Sequence, residues 1–296
     1  MKLAVALSAV FALVIAYAAY DRTPAPAGTT YHEKYAYWEK EFEGDPDGAY
    51  ARLVEQGRSL SYDASHELAH IAGEILFGSE GLHGIARCTA DFEFGCYHGF
   101  AGRALSESGL GAVSDINGAC AASDNPLGCL HGIGHGVLAF LGNGKLTEAL
   151  DLCASLRQES PVGGCYGGVF MEYNFNTMQS ETGISVRPFD EKAANEPCAL
   201  LPEAYRVPCY FDQTSWWHAA ATDGSASEME RFRAVGARCA AVASEYREAC
   251  FQGVGNVVGP TSGYDETVMR EWCDTMPIAG REECASFARG HLKPEL

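Results

Sequence analysis

Histidines at helical spacing are the residues of this chain best suited to bind a ligand. His66 and His70 are four positions apart in SHELAH, and His131 and His135 repeat that spacing in LHGIGHG. Residues i and i+4 lie on one face of a helix, so the two imidazoles of a pair can bind one first-row metal ion. Each pair predicts a metal-binding helix face. The structural alternative is a pair of packing histidines, hydrogen-bonded only to backbone.

The cysteines indicate how the elements that carry these histidines are organised. They fall into six close pairs, separated by 8 to 12 positions, and the second cysteine of a pair recurs every 33 to 44 residues. Such a period is typical of helical-hairpin arrays. An even number of cysteines in an exported chain predicts disulfides. We therefore expect each pair to bridge locally, ending one hairpin and opening the next: Cys88/Cys96, Cys120/Cys129, Cys153/Cys165, Cys198/Cys209, Cys239/Cys250 and Cys273/Cys284.

The residues after each second cysteine are apolar at helical spacing, which predicts the first helix of a hairpin. After Cys129 this helix is predicted to end at Gly142 or Gly144, because glycine adopts the backbone conformations that end helices. KLTEALDLCASL then predicts an amphipathic second helix. With Ala64 in the place of a cysteine, SHELAHIAGEILFGSEG fits the same frame. The predicted fold is all-α, with about seven helical hairpins in a disulfide-clamped solenoid or α/α toroid.

The repeat frame shows that the histidines are confined to one end of the array. In each hairpin we compare two positions, the second and the sixth after the cysteine that opens it. Histidine occupies five of these six positions in the first three hairpins and none of the eight in the last four. A residue that the repeat itself required should recur throughout. The frame adds His98 to the two pairs and predicts a metal site made of His66, His70, His98, His131 and His135.

The ion predicted for this site is a divalent transition metal. Imidazole ligands suit zinc, copper and iron, and the sequence does not choose among them. Neighbouring helices pack about 8–10 Å apart. In an open solenoid the first and third hairpins are then too distant to share one ion, whereas a tightly curved array or toroid would bring all five histidines together.

HELAH also resembles the H-E-x-x-H signature of the zincin metalloproteases. That resemblance implies zinc on His66 and His70, with Glu67 as the catalytic base that activates water. The metzincin extension fails at its third ligand, where this chain has Leu76. The repeat equivalents of Glu67 are Gly99 and Gly132. The histidine spacing is therefore also explained by the repeat alone.

Two repeat families resemble the array as a whole. Disulfide-linked tetratricopeptide-like proteins are similar in hairpin length, in a Cys-x7-Cys step like Cys88/Cys96, and in a GxG turn before the second helix. Lanthionine cyclases are similar in having seven hairpins with recurrent HGxxG text, as at His98–Gly102. That second resemblance implies a toroid around zinc held by cysteine and histidine. The paired cysteines here look oxidised, so its ligands are not transferred to this chain.

The N-terminus predicts export. Residues 3–20 form an apolar run after a single lysine, which is typical of a signal peptide or a membrane anchor. The predicted organisation is residues 1–20 as signal or anchor, 21–60 as linker and N-terminal helical segment, and 61–296 as the repeat domain. The location is extracytoplasmic: periplasmic, secreted or anchored facing outward.

The charge of the chain excludes one class of partner. A formal net charge of -18 argues against binding to nucleic acid, whose phosphates would be repelled. Three functions remain: a histidine-rich metal protein with redox or catalytic chemistry, a zinc-dependent hydrolase using Glu67, and a non-enzymatic scaffold for a protein or glycan. The metal ion is the predicted partner, and residues 3–20 are a possible membrane anchor; the sequence does not identify a protein partner.

Weaker candidates lie outside the five histidines. His83 is close enough in sequence to become a further ligand, whereas His218 is isolated and expected to be structural. Glu172 is on the helix that follows Cys165; it could face the same cavity as the histidines, but a solvated glutamate is expected.

Overall fold

The computed structural model describes residues 30–156, 161–178, 185–220 and 225–290. The predicted signal or anchor, residues 1–20, lies outside these ranges. Within them the chain is helical and contains no strand. None of the described helices combines the length and apolarity needed to cross a membrane. The α-helices are α1 (Tyr31–Phe42), α2 (Pro46–Gly57), α3 (Tyr62–Glu80), α4 (Gly95–Ser108), α5 (Val113–Cys120), α6 (Pro126–Leu141), α7 (Leu146–Ala154), α8 (Gly164–Phe175), α9 (Arg206–Ala220), α10 (Glu228–Ala241), α11 (Arg247–Thr261), α12 (Glu266–Asp274) and α13 (Arg281–Gly290).

The first helices of the predicted hairpins form a continuous stack in chain order. Helix α3 packs on α4, α4 on α6, α6 on α8, α8 on α9, α9 on α11 and α11 on α13. Helices α5, α7, α10 and α12 pack beside them as second helices. Helices α1 and α2 contact α3, and one apolar cluster extends from Trp38 to Ala288. The prediction of an all-α repeat array is confirmed.

All six cysteine pairs form the predicted local disulfides. Their Cα atoms lie 5.4–5.6 Å apart, and no described cysteine is free. In the chain-entropy model, loops this short give each bridge roughly 2–3 kcal/mol of stability. The bridges tie the end of one hairpin to the start of the next. They also indicate that the protein resides in an oxidising environment.

Capping residues set the ends of α6, the helix that carries one histidine pair. The Asn125 side chain accepts a hydrogen bond of 2.8 Å from the Gly128 amide, and Pro126 occupies the first turn, where no helical partner for its nitrogen is needed. At the other end Gly142 has φ +83°, a conformation that favours glycine. The predicted stop at Gly142 is confirmed, and Gly144 lies beyond it in a short 3₁₀ segment.

The described residues show no α-helical second arm in two of the hairpins, in contrast to the regular hairpins that the sequence predicts. After α3 the chain forms a 3₁₀ segment, Gly81–Arg87, in which Gly84 packs directly against the Leu76 carbonyl. After α8 the described residues contain only the 3₁₀ turn Glu191–Ala193 and further turns before Cys198. The second arm of the last hairpin would follow Gly290, outside the described residues.

Candidate metal centre

Three neighbouring helices carry the five predicted histidines. Helix α3 carries His66 and His70, α4 carries His98, and α6 carries His131 and His135. Helix α4 packs on both α3 and α6. The approach of α4 to α3 is close, because a Cβ on Gly99 would clash with the His70 carbonyl oxygen. This contact brings imidazoles from adjacent helices within reach of one another.

His66, His70 and His98 form a triangle of ring nitrogens. The Nε2 atoms of His66 and His70 are 3.1 Å apart, and each lies 3.3 Å from His98 Nδ1. Zinc–nitrogen bonds of about 2.0–2.1 Å at tetrahedral angles separate two ligand nitrogens by about 3.3 Å. The three atoms could therefore hold one metal ion and leave its fourth position open.

A backbone contact fixes the ring of His66 for this role. Its Nδ1 lies 2.7 Å from the carbonyl oxygen of Phe92. A carbonyl only accepts, so Nδ1 carries the proton and the lone pair of a neutral ring is on Nε2, inside the triangle. Metal-binding histidines usually have such a partner on the other nitrogen.

His98, His131 and His135 form a second group that could hold an ion. The Nε2 atoms of His131 and His135 are 3.1 Å apart. The His98 ring centroid lies 4.3 Å from that of His135 and 5.2 Å from that of His131. The structure thus brings all five predicted histidines together, in two groups that share His98.

Glu172 is a buried partner of His135, in contrast to the solvated residue expected from the sequence. Its carboxylate oxygen Oε2 lies 3.1 Å from His135 Nδ1, and the residue is 1% exposed. The amides of Thr177 and Met178 donate to the same carboxylate, as does the Thr177 hydroxyl. A carboxylate that receives the second N–H of a histidine is a recurring feature of metal sites, because it orients the ring and raises its basicity.

Burial lowers the pKa of every imidazole in the cluster. The shift takes the pKa of His131 to about 4, and the pKa values of His70, His98 and His135 also fall well below the ordinary range. The neutral ring is the form that binds metal, so the cluster is ready to bind at neutral pH. His131 is the partly exposed member, whereas the other four histidines are buried.

The other sequence candidates lie outside both groups. The Glu67 carboxylate binds the Lys34 ammonium of α1 at 2.6 Å, and its catalytic role stays a prediction. His83 is exposed, beside a surface cavity of about 580 Å³. His218 bonds to Glu228 at 2.7 Å and stacks on Phe232, which gives it a packing role.

Asp212 on α9 is a residue near the site that the sequence did not single out. A Cβ on Gly167 would lie 3.2 Å from His131 Nδ1 and 3.5 Å from Asp212 Oδ1, so both side chains lie beside the same glycine. The buried Oδ2 has no hydrogen-bond partner among the described residues, and burial raises the pKa of Asp212 to about 8. Its only sequence signal is its place three positions after Cys209, the slot that Glu67 occupies in the first hairpin.

No family model, curated protein or solved structure matches the chain. The resemblances to tetratricopeptide-like arrays, lanthionine cyclases and zincins therefore stay predictions.

Proposed function

We propose that this chain is an extracytoplasmic metalloprotein that binds a first-row transition metal at its histidine cluster, for redox or catalytic chemistry. The observation that carries the proposal is the triangle of ring nitrogens from His66, His70 and His98. Its edges of 3.1–3.3 Å match the spacing of three ligands around one tetrahedral ion. The apolar residues 3–20 and the six disulfides support export, to the periplasm, to the outside or to the outer face of a membrane.

Hydrogen bonding among the histidines is a poorer explanation of the triangle. A hydrogen bond needs one N–H directed along the line to one acceptor. The bond from His66 Nδ1 to Phe92 leaves His66 Nε2 without a proton, so this corner can only accept. His70 Nε2 and His98 Nδ1 together carry at most two hydrogens. Two hydrogens cannot form linear hydrogen bonds along all three nitrogen–nitrogen distances of the triangle. A cation at the centre accepts all three lone pairs at once.

The donor set limits the chemistry of the ion. Ligands that are all imidazole suit zinc, copper and iron, and the described cysteines supply no thiolate because all are bridged. Three histidines leave a coordination position for water or a small ligand. Copper or iron there would exchange electrons with that ligand, and zinc would act as a Lewis acid.

The hydrolase alternative finds no support in the position of Glu67. A general base has to reach the metal-bound water, and this carboxylate is held by Lys34. Glu67→Gln is expected to leave the metal content unchanged. Loss of a measured hydrolytic activity in that variant, with the metal retained, would restore the hydrolase.

Metal analysis of the full chain, purified from an oxidising compartment without chelators, tests the proposed function. We expect stoichiometric zinc, copper or iron, and a lower metal content in His70→Ala, which removes a ligand of the first group. His83→Ala is the matched control, because it removes an exposed histidine outside both groups and should keep the metal. A protein that is isolated without metal and binds none on reconstitution with zinc or copper would contradict the proposal and favour a non-enzymatic scaffold.

A further inference from the structure

His98 belongs to both groups of converging ligand atoms. It is 1% exposed on α4, between the histidine pair of α3 and that of α6. Its position bears on the number of ions that the cluster binds, and the inference drawn from it rests on the proposed function.

The two nitrogens of His98 have different surroundings. Nδ1 lies 3.3 Å from both His66 Nε2 and His70 Nε2 and so completes the first group. Nε2 is buried and has no hydrogen-bond partner among the described residues. A buried N–H or lone pair without a partner is costly, so this atom requires a ligand.

One ion cannot satisfy both nitrogens of an imidazole, because their lone pairs point away from each other in the plane of the ring. An ion held at Nδ1 therefore leaves Nε2 for another ion. The remaining histidines are suitably divided, since α3 supplies one pair and α6 the other. We propose that the cluster binds two metal ions and that His98 bridges them, with His66 and His70 on one ion and His131 and His135 on the other.

Binding of the second ion changes the protonation of the bridge. A neutral imidazole has one N–H, and metal binding at both nitrogens releases that proton to solvent and leaves an imidazolate. No electron is transferred in this step. The imidazolate charge offsets part of the repulsion between the ions, and its π system couples their unpaired electrons.

The two halves of this site differ in their supporting groups. On the first side His66 Nδ1 donates to the neutral carbonyl of Phe92. On the second side His135 Nδ1 faces the carboxylate of Glu172, and His131 is partly exposed. The carboxylate strengthens the binding of the second ion, whereas the exposure of His131 gives this ion the route to solvent that the first ion lacks.

Titration of the metal-free full chain with Cu²⁺ tests the bridge, with bound copper counted after dialysis and Cu²⁺ followed by electron paramagnetic resonance. We expect two Cu²⁺ per chain. The signal of isolated Cu²⁺ should be largely lost at two equivalents, because the bridged ions couple antiferromagnetically.

Paired variants separate the two sites. His66→Ala/His70→Ala and His131→Ala/His135→Ala should each bind one strong Cu²⁺ and show a full isolated-ion signal. His98→Phe, which keeps the ring volume without a ligand atom, should abolish the coupling. Circular dichroism checks that each variant is folded, and the wild-type spectrum remains decisive if one is not.

The outcomes distinguish this inference from the proposed function. One copper per chain, or two coppers with an undiminished signal, would overturn the bridge and leave the metal protein standing. No bound copper, together with no bound zinc, would overturn both.

Discussion

The stack contains two regions with the same backbone plan and different side chains at equivalent positions. The histidine helices are α3, α4 and α6; the C-terminal helices are α9, α11 and α13. Gly168 packs against the carbonyl of His131, and Gly253 packs in the same way against the carbonyl of Phe211. His131 and Phe211 are both two positions after their cysteine. The same helix–helix contact is thus made with a histidine in one region and a phenylalanine in the other.

The C-terminal helices form the same stack without histidine at the equivalent positions. Phe211 packs edge-on against Phe287 with ring centroids 5.3 Å apart, and Gln252 bonds to Glu248 and Glu283. Apolar packing and surface hydrogen bonds are sufficient there. The histidine helices carry five buried or partly buried imidazoles with lowered pKa values instead. Their confinement to these helices supports the proposed metal site.

Exchanging equivalent residues for alanine should separate stability from metal binding. Phe211→Ala removes a buried ring and should lower the free energy of unfolding by about 3–5 kcal/mol with the metal content unchanged. His131→Ala should change the stability of the metal-free protein by about 1 kcal/mol or less and lower the metal content. Urea denaturation and metal analysis of both variants provide the measurement. If Phe211→Ala and His131→Ala lowered the metal content equally, metal binding would not be specific to the histidine helices.

The shared backbone contact should be equally sensitive in both regions. Gly168→Ala and Gly253→Ala each place a Cβ against a carbonyl oxygen and should cost about 3 kcal/mol. Gly118→Ala is the control: nothing lies near its Cβ position in α5, so it should be neutral or stabilising by up to about 1 kcal/mol. Thermal denaturation measures all three. Tolerance at Gly168 but not at Gly253 would mean that the histidine helices pack more loosely than described.

Acid should weaken the metal-free histidine helices first. Burial holds the pKa of His131 at about 4 in the folded state, against about 6.5 in the unfolded chain, so the unfolded state binds more protons between these values. Stability is therefore lost as the pH falls below 6.5, by about 2 kcal/mol at pH 5 from His131 alone. Glu172 and Asp212, whose pKa values burial raises to about 7 and 8, act in the opposite sense but are outnumbered by five histidines.

Hydrogen exchange of the chelator-treated chain at pH 7, 6 and 5 measures this effect by region. After correction for the intrinsic exchange rate, which itself falls with the pH, the protection of amides in α4 and α6 should decrease on acidification before that in α11 and α13. Uniform exchange across both regions, or higher stability at pH 5, would contradict the placement of the titrating groups.

The carboxylate behind His135 should affect affinity more than fold. Glu172→Gln keeps the size of the side chain and weakens the acceptor for His135 Nδ1–H. Loss of a partner of this kind lowers metal affinity about 10–100-fold. Competition with a chelator of known zinc affinity measures the change. Glu283→Gln, at a bond to Gln252 among the C-terminal helices, is the matched control and should leave affinity unaltered.

The sequence predicted the repeat because local signals define it. The cysteine pairs are 8 to 12 residues apart, and Gly142 ends α6 as expected. It missed the 3₁₀ segment after α3, which packs on α3 through Gly84 and the Leu76 carbonyl, a contact that residue types alone do not reveal. The sequence also did not predict the turns that replace a second helix among the described residues after α8.

The sequence predicted those residues of the candidate site that occupy equivalent positions in the repeat. It did not predict the residues that only tertiary packing brings to the site. The five histidines are found by comparing equivalent positions. Glu172 reaches His135 only because α8 packs on α6, and Phe92 contributes a backbone carbonyl that no residue type reveals. Lys34, which binds Glu67, lies 33 residues earlier and outside the repeat.

Anomalous diffraction at the zinc edge from crystals of the zinc-loaded full chain would show whether the nitrogen triangle binds metal. We expect a zinc peak between α3 and α4, about 2.0–2.1 Å from His66 Nε2, His70 Nε2 and His98 Nδ1. Zinc bound only at surface carboxylates or exposed histidines, with the nitrogen triangle of the cluster unchanged and free of anomalous density, would contradict it.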